Sequence, residues 1–450
     1  MIMQGIVYSY NYTLKQYVIK ITSVFIILIC LCTILGTDSS CLSSLISGSF
    51  IFFLITVISA RILLRSNKLV LFFSIVYVVK LLLGIAHYLY FVDSSYFNGN
   101  GTTFMLHDEI QAVIDFFFSA VEEKKKYGLF YIKTDGYVTH QEMLSIIAVP
   151  FNFFGVRILN IAPINSFFSI LAAMNVYLVS RRNHWSIETN MLVLLVLAYF
   201  PSTLLTSYFF RDIVGMAFMS IGLALMVFAR HVSAKFVCTI ISILLCFLQR
   251  NGYVVLPVLI LISQYTVLGK RKKMGIIPNI LIVSLFILYV VIGLAYTEST
   301  DLYIQDATKW PIYLLPVKFV MGLIGPFPWT NFTSYIVNPA AAYYLSDYAC
   351  GCLNMAFSYI IYINRKILFN TSELSESAIM GIILLLMGIM NTYMHMTYIS
   401  IGVFFMVPWI LTNVSKYEFT KIFVLSVLGL IALNVIVVIM GISGVSTSIR

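Results

Sequence analysis

The sequence predicts an all-α, polytopic integral membrane protein with about 12–13 transmembrane helices. Three observations carry that reading. Hydrophobic residues make up 60% of the 450 and charged residues only 10%, whereas a soluble domain holds roughly 25% charged residues. Apolar runs of about 17 residues or more recur, enough to cross a hydrocarbon layer of about 30 Å as helices. The cations gather in short segments between those runs, which is the pattern of the positive-inside rule.

Other classes are excluded on the same ground. A transmembrane β-barrel alternates residue by residue and gives only weak hydropathy. No polar stretch is long enough for a separate soluble domain, so 1–450 reads as a single membrane domain. The net charge of +10 sits in the short loops, so it marks topology and no nucleic-acid partner is expected. The seven cysteines show no paired C-x-x-C and no metal spacing. Cys30, Cys32, Cys238 and Cys246 lie in apolar runs, where cysteine behaves as a small hydrophobe. Lys15 and Lys20 precede an apolar run with no convincing small-residue cleavage site, so the run is expected to be an uncleaved first span.

The spans follow in order. The first, 21–36, leads out to Asp38 and Cys41. The second, 43–60, returns to Arg61, Arg65 and Lys68. The third, 69–91, leads out to a charged outer segment. Residues 142–158 are apolar but broken by Pro150 and Gly155, which predicts an interfacial or half-inserted helix. Span 162–180 ends inside at Arg181 and Arg182. Spans 190–208, 213–229, 236–249 and 253–268 then alternate, returning to Lys270-Arg271-Lys272-Lys273. Span 276–296 leads to a second outer segment, 297–346. Spans 347–363, 377–393, 398–412 and 421–443 complete the chain.

The first outer segment concentrates charge. Between residues 102 and 140 lie six of the chain's 18 acidic residues. His107-Asp108-Glu109 is its sharpest cluster. Glycosyl transfer needs a carboxylate as general base on an acceptor hydroxyl, and Asp108 is the first choice, Glu109 the second. A merely solvated acidic loop is the structural alternative. The run from Glu122 to Lys126 reads as the charged face of an exposed helix. His140 precedes the interfacial segment, and His395 lies at the outer end of a late span. Either could line a cavity.

Cations at the outer face break the positive-inside pattern and need a reason, because a charge at membrane depth costs at least about 2.5 kcal/mol. Arg211 follows Tyr208-Phe209-Phe210 and precedes Asp212. Arg250 sits in the turn Gln249-Arg250-Asn251-Gly252-Tyr253. Plain interfacial pairing or snorkelling is the structural alternative for both. As a pair from neighbouring hairpins they suit a phosphate or diphosphate, since the guanidinium fork bonds it bidentately. Lys318 is a further phosphate candidate. Lys80 and His87 lie seven residues apart on one face of the third span, facing the bundle interior, where an acidic loop residue could pair with them. Pro326-Phe327-Pro328-Trp329 cannot continue a helix; Trp329 is either an interfacial anchor or part of an acceptor groove. No Walker A, G-x-S-x-G, HExxH or channel filter motif is present.

This layout resembles the polytopic bacterial polysaccharide polymerases of the Wzy and EpsG type, within the broader GT-C glycosyltransferases. The pieces that carry the resemblance are the acidic pair Asp108-Glu109, and Phe153-Phe154-Gly155-Val156-Arg157 with Arg181-Arg182 closing the next span. The others are Pro201 leading to Tyr208-Phe209-Phe210-Arg211-Asp212, and the Gly325-Pro326-Phe327-Pro328-Trp329 segment. It covers about 100–340. The chain departs from the pattern near Asn391, where many relatives carry a basic residue and only His395 stands here.

The resemblance implies a GT-C-like layout with two large periplasmic segments, 93–158 and 297–346, in a bacterial inner membrane. It implies polymerisation of undecaprenyl-pyrophosphate-linked oligosaccharide units into O-antigen or capsular polysaccharide. Arg211, Arg250, Lys318 and Arg157 would hold the pyrophosphate; Asp212, Tyr253, Trp329, His140 and His395 would line the acceptor side. No cofactor is expected. A transferase using a polyprenyl-phosphate sugar is the alternative enzyme, and only there could a divalent metal sit at Asp108. A flippase for the same lipid is the alternative of another class. Membrane lipid and a chain-length regulator are the further expected partners.

Overall fold

A computed structural model describes residues 13–37, 41–87, 104–133, 141–181, 185–204, 210–249, 251–266, 341–363, 375–390 and 396–439. Among the described residues every regular element is helical. Four helices are long and apolar enough to cross a membrane: Leu14–Leu35, Leu42–Leu64, Asn67–Ala86 and Ile161–Ser180. They make this a membrane-associated helical protein. The expected span 276–296 and the segment 297–340 lie outside the described residues.

Helix α1 (Leu14–Leu35) begins earlier than the hydropathy suggests, because Thr13 caps it. The Thr13 hydroxyl accepts from the Gln16 amide, and the Gln16 side chain accepts from the Thr13 amide, both at 3.3 Å. This reciprocal box satisfies two otherwise orphaned donors. Lys15 and Lys20 therefore lie on the helix itself. Helices α2 (Cys41–Leu64) and α3 (Asn67–His87) are joined by Arg65 and Ser66 alone. Arg65 has φ 51°, a left-handed conformation that glycine usually supplies after a helix.

The charged outer segment is not a loop throughout. Helix α4 (Phe104–Tyr127) carries His107, Asp108 and Glu109 near its start. Its inward face is Phe117, Ala120, Val121 and Lys124, all buried, the i, i+3, i+4, i+7 spacing of an amphipathic helix. The expected solvated run is thus divided. Glu122 and Lys125 are exposed and paired at 2.9 Å, whereas Lys124 turns in and donates to the Tyr131 carbonyl. Burial pushes the Lys124 pKa down.

The interrupted apolar stretch is two short helices, α5 (Gln141–Ile147) and α6 (Phe151–Phe154), separated by a turn at Ala148-Val149-Pro150. Neither approaches the length of a span. Phe117 of α4 stacks on Phe151 with ring centroids 4.8 Å apart. Helix α6 in turn seats on the junction of α1 and α2. The Ser44 hydroxyl donates to the Phe154 carbonyl, and a methyl group on Gly36 would meet the Phe153 Cβ at 2.7 Å.

Helix α7 (Ile161–Ser180) is the hub. Its whole apolar window is buried, and it packs against α2 and α3 and against later helices. Two of its polar residues reach partners on other helices. Asn175 accepts from the Tyr17 hydroxyl at 2.9 Å and donates to Ser220 at 3.1 Å. Tyr177 donates to Asn190 at 3.0 Å. Helix α8 (Ile187–Ala198) is short, and α9 (Phe210–Phe228) with α10 (Val232–Gln249) forms an antiparallel hairpin. Gly222 and Ser242 make its close approach, with the Ser242 hydroxyl bonded to the Gly222 carbonyl at 2.9 Å.

The remaining helices are α11 (Val255–Thr266), α12 (Ala341–Ile363), α13 (Glu376–Met390), α14 (Met396–Leu411) and α15 (Lys416–Ile439). Helices α13 and α14 touch backbone to backbone. A methyl group on Gly402 would meet the Leu385 amide at 2.6 Å, and one on Gly381 the Gly402 carbonyl at 2.6 Å. Small residues at such a crossing are how helices associate without a hydrophobic driving force between them. At one end of the bundle Lys235 donates to Gln264, which donates to Glu376 at 3.3 Å, tying α10, α11 and α13 together.

Candidate functional site at a broken helix

The expected continuous span 190–208 does not exist. Helix α8 stops after 12 residues, about 18 Å of rise, too short for a layer of about 30 Å. The cause is Pro201. A proline excludes its predecessor from the helical region, and Phe200 is accordingly extended at φ −60°, ψ 129°. The chain then makes a single 3-10 turn, Pro201–Thr203. The freed backbone groups are satisfied again locally. The Phe200 carbonyl accepts from the Thr203 amide at 2.9 Å and from the Thr203 hydroxyl at 2.8 Å.

Lys80 meets this break. It is fully buried, and its Nζ donates to the Thr203 hydroxyl at 2.7 Å and the Thr203 carbonyl at 3.0 Å. Lys80 stands 13 residues into α3, about 20 Å along its axis, so both elements place the contact well inside the bundle. The expectation that Lys80 faces the interior holds. Among the described residues its contacts include the Thr203 carbonyl and hydroxyl; the side chains of Asp108 and Glu109, the acidic pair of the outer segment, lie outside them. His87 ends the same helix, and its side chain lies outside the described residues.

Two neighbours complete the site. Phe200 packs edge-on against Phe404 of α14, centroids 5.3 Å apart. The Ser202 hydroxyl is buried and has no hydrogen-bond partner among the described residues. An unsatisfied buried hydroxyl costs about 1–3 kcal/mol, and Ser202 directly precedes the Thr203 that Lys80 contacts. Irregular backbone at membrane depth is tolerated only where it is buried in protein or faces a cavity, and a cation there is ordinarily functional. Chemically, the arrangement sets a buried ammonium group and the hydroxyls of Ser202 and Thr203 at a break between helices.

The residues expected at the site divide as follows. Arg211 and Asp212 occupy the first turn of α9. Asp212 is half-buried there, where an acid complements the helix dipole; the Arg211 side chain lies outside the described residues. Tyr253 is buried in a 3-10 turn, Asn251–Val254, directly after α10. The α9–α10 hairpin thus brings the backbone at Arg211 and the turn containing Tyr253 to one end of the bundle. Arg157 is exposed at the bend between α6 and α7. The side chains of His107, Asp108 and Glu109 lie outside the described residues, as do Arg250, Lys318, Trp329, His140 and His395 altogether.

Ser202 and Thr203 were missed from sequence. The signal was Pro201 in the middle of an apolar run opposite a span carrying one lysine. No family model, no curated protein and no solved structure matches the chain.

Proposed function

We propose that this protein is a membrane glycosyltransferase that polymerises lipid-linked oligosaccharide units at the outer face of a bacterial inner membrane. The observation that supports the reading is the buried Lys80–Thr203 contact at the α8 break, one residue after Ser202, whose hydroxyl has no partner among the described residues. A donor activated by a polyprenyl pyrophosphate carries its charge on a lipid tail, and a cation held inside a span suits a charge brought in between helices on that tail. The layout from Asp108 to Asp212 supports the same substrate class.

In the reaction, Asp108 or Glu109 takes the proton from an acceptor sugar hydroxyl. The acceptor oxygen bonds to the donor's anomeric carbon as the bond from that carbon to the pyrophosphate oxygen breaks. The leaving polyprenyl pyrophosphate keeps the electron pair. Arg211 and Arg250 stabilise its developing charge, as preorganised donors do in a water-poor site. The polytopic count of about 12–13 spans and the outer placement of residues 93–158 belong to this proposal.

The test is product length. Cells lacking the protein should carry surface polysaccharide of one repeat unit. Arg211→Ala and Asp108→Ala, each expressed at the normal level, should reproduce that phenotype. Wild-type chain lengths in both variants would overturn the assignment.

The same lysine favours a second reading, a flippase for the lipid-linked unit, because carriers use cations placed deep between helices. Under it, complete units accumulate on the cytoplasmic face of cells lacking the protein. A single-unit polysaccharide on the surface excludes it.

A further inference from the structure

The turn after α4 holds apolar side chains away from the protein. Phe130 is 77% exposed, Tyr127 57% and Ile132 44%. Tyr131 is exposed as well, its ring 4.9 Å from that of Tyr127. On the preceding helix Phe118 and Lys125 share one exposed face, seven residues apart. Lys126 is exposed and sits over the Tyr127 ring at 4.8 Å.

The backbone that carries these side chains is fixed by hydrogen bonds. The Gly128 amide bonds to the Lys124 carbonyl at 2.9 Å, and the Tyr131 amide to the Gly128 carbonyl at 3.0 Å. Gly128 has φ 107°, a conformation that side chains rarely adopt. Lys124 clamps the turn from inside through the Tyr131 carbonyl. Beyond it, the Lys133 amide donates to Ser145 of α5 at 2.8 Å, and the Lys133 ammonium pairs with Glu123 at 2.5 Å. Fixing aromatic rings in water opposes the hydrophobic effect, so a turn built this firmly is built to be covered.

Position says what covers it. Helix α4 rests on α6, and α6 rests on the ends of α1 and α2, two of the membrane-crossing helices. Helix α4 is thereby tied to the ends of those two helices through Phe117, and the turn that follows it is bonded to Ser145 of α5. Aromatic rings with adjacent lysines are the composition of the bilayer interface, and each lysine near an anionic surface contributes about 1 kcal/mol of attraction. At the tip Phe130, Tyr131 and Ile132 stand together, an apolar run that suits the lipid interface.

We propose that the turn 127–132, with Lys125 and Lys126, docks on the headgroup layer of an anionic bilayer beside the ends of α1 and α2. This rests on the chain crossing a membrane and not on glycosyl transfer. The docked turn would hold the His107-Asp108-Glu109 helix at a fixed height over the lipid surface.

The experiment places a tryptophan at the tip. Phe130→Trp protein is reconstituted in nanodiscs of phosphatidylcholine and phosphatidylglycerol, and the emission of the parent, with its four tryptophans, is subtracted. The added emission should be blue-shifted, and brominated acyl chains should remove most of it. Replacing phosphatidylglycerol by phosphatidylcholine should weaken that loss. Lys125→Gln with Lys126→Gln should abolish the difference between the two lipids. Tyr131→Trp gives the same readout where Phe130→Trp folds poorly. Quenching by aqueous iodide with none by brominated lipid would overturn the proposal. So would emission that responds to added oligosaccharide but not to lipid. Polymer length does not enter this readout, so failure of the glycosyl reading leaves it standing.

Discussion

Lys80 illustrates how one residue can be legible in kind and illegible in detail. A lysine inside an apolar run must face protein, because exposure to lipid costs several kcal/mol. Which group receives it depends on where another helix fails, and that is a property of Pro201, more than a hundred residues away. Two substitutions separate its roles. Thr203→Val removes one acceptor, leaves the carbonyl in place, and should cost about 1 kcal/mol in thermal unfolding of the detergent-solubilised protein. Lys80→Met fills similar volume without charge. If the lysine only braces the break, Lys80→Met protein that folds should still make long polysaccharide. If it holds an anionic substrate, polymer should fall to single units while the protein stays folded, and Lys80→Arg should restore part of it. Arg65 is the opposite case, a residue whose side chain matters less than its φ. Arg65→Gly should raise stability by about 1 kcal/mol by relieving the left-handed conformation, as read by the same unfolding assay. Nothing in the residues around Arg65 announced that conformation; only the two-residue connection between two long helices imposes it.

At the scale of elements, helix positions followed from hydropathy while helix ends followed from chemistry that hydropathy ignores. The span expected at 162–180 is α7, displaced by one residue at its start. The span expected at 190–208 ends ten residues early, because a proline outweighed the apolar run around it. The helix expected at Glu122–Lys126 extends back to Phe104 and takes in His107-Asp108-Glu109, which the charge made look like a loop. Its buried positions repeat at helical spacing, and Asp115, Glu122, Glu123, Lys125 and Lys126 flank them, while Lys124 alone of the described charges joins them. The α13–α14 crossing gives the sharpest test at this scale. Gly402→Ala puts a methyl group against the Leu385 amide, a backbone atom that cannot move alone. Overpacking of this kind costs about 1–3 kcal/mol, and Gly402→Val should cost more and lower the yield of folded protein. Gly429→Ala, whose nearest new contact would be the Met355 side chain at 3.5 Å, should be tolerated. Equal loss in both would show that the crossing is not the reason.

At the scale of the whole molecule, the charge pattern expects Lys68, Ser186 and Lys416 on one side of the membrane and Lys125 on the other. All four are exposed. In a background with the seven native cysteines replaced, single cysteines at the first three should react with an impermeant maleimide only after the cells are opened. One at Lys125 should react in intact cells. A cysteine at Ser186 that labels from outside would break the alternation from which the placement of residues 93–158 was argued. The candidate site itself was only partly visible from sequence. Arg211 and Asp212 stood out because cations at an outer helix end are rare. Ser202 and Thr203 did not, because a hydroxyl pair after a proline is common in any loop and gains meaning only when a lysine from another helix reaches it.

The burial of α7 has a consequence for how the protein is made. Its Asn165, Ser166, Ser169 and Asn175 are all buried within the bundle, and Asn175 is satisfied by Tyr17, which precedes it, and by Ser220, which follows it. A segment with four such residues enters lipid at a disadvantage, yet the helices that finish enclosing it have not been synthesised when it leaves the ribosome. Biogenesis must therefore shelter α7 against α1, α2 and α3 until α9 arrives.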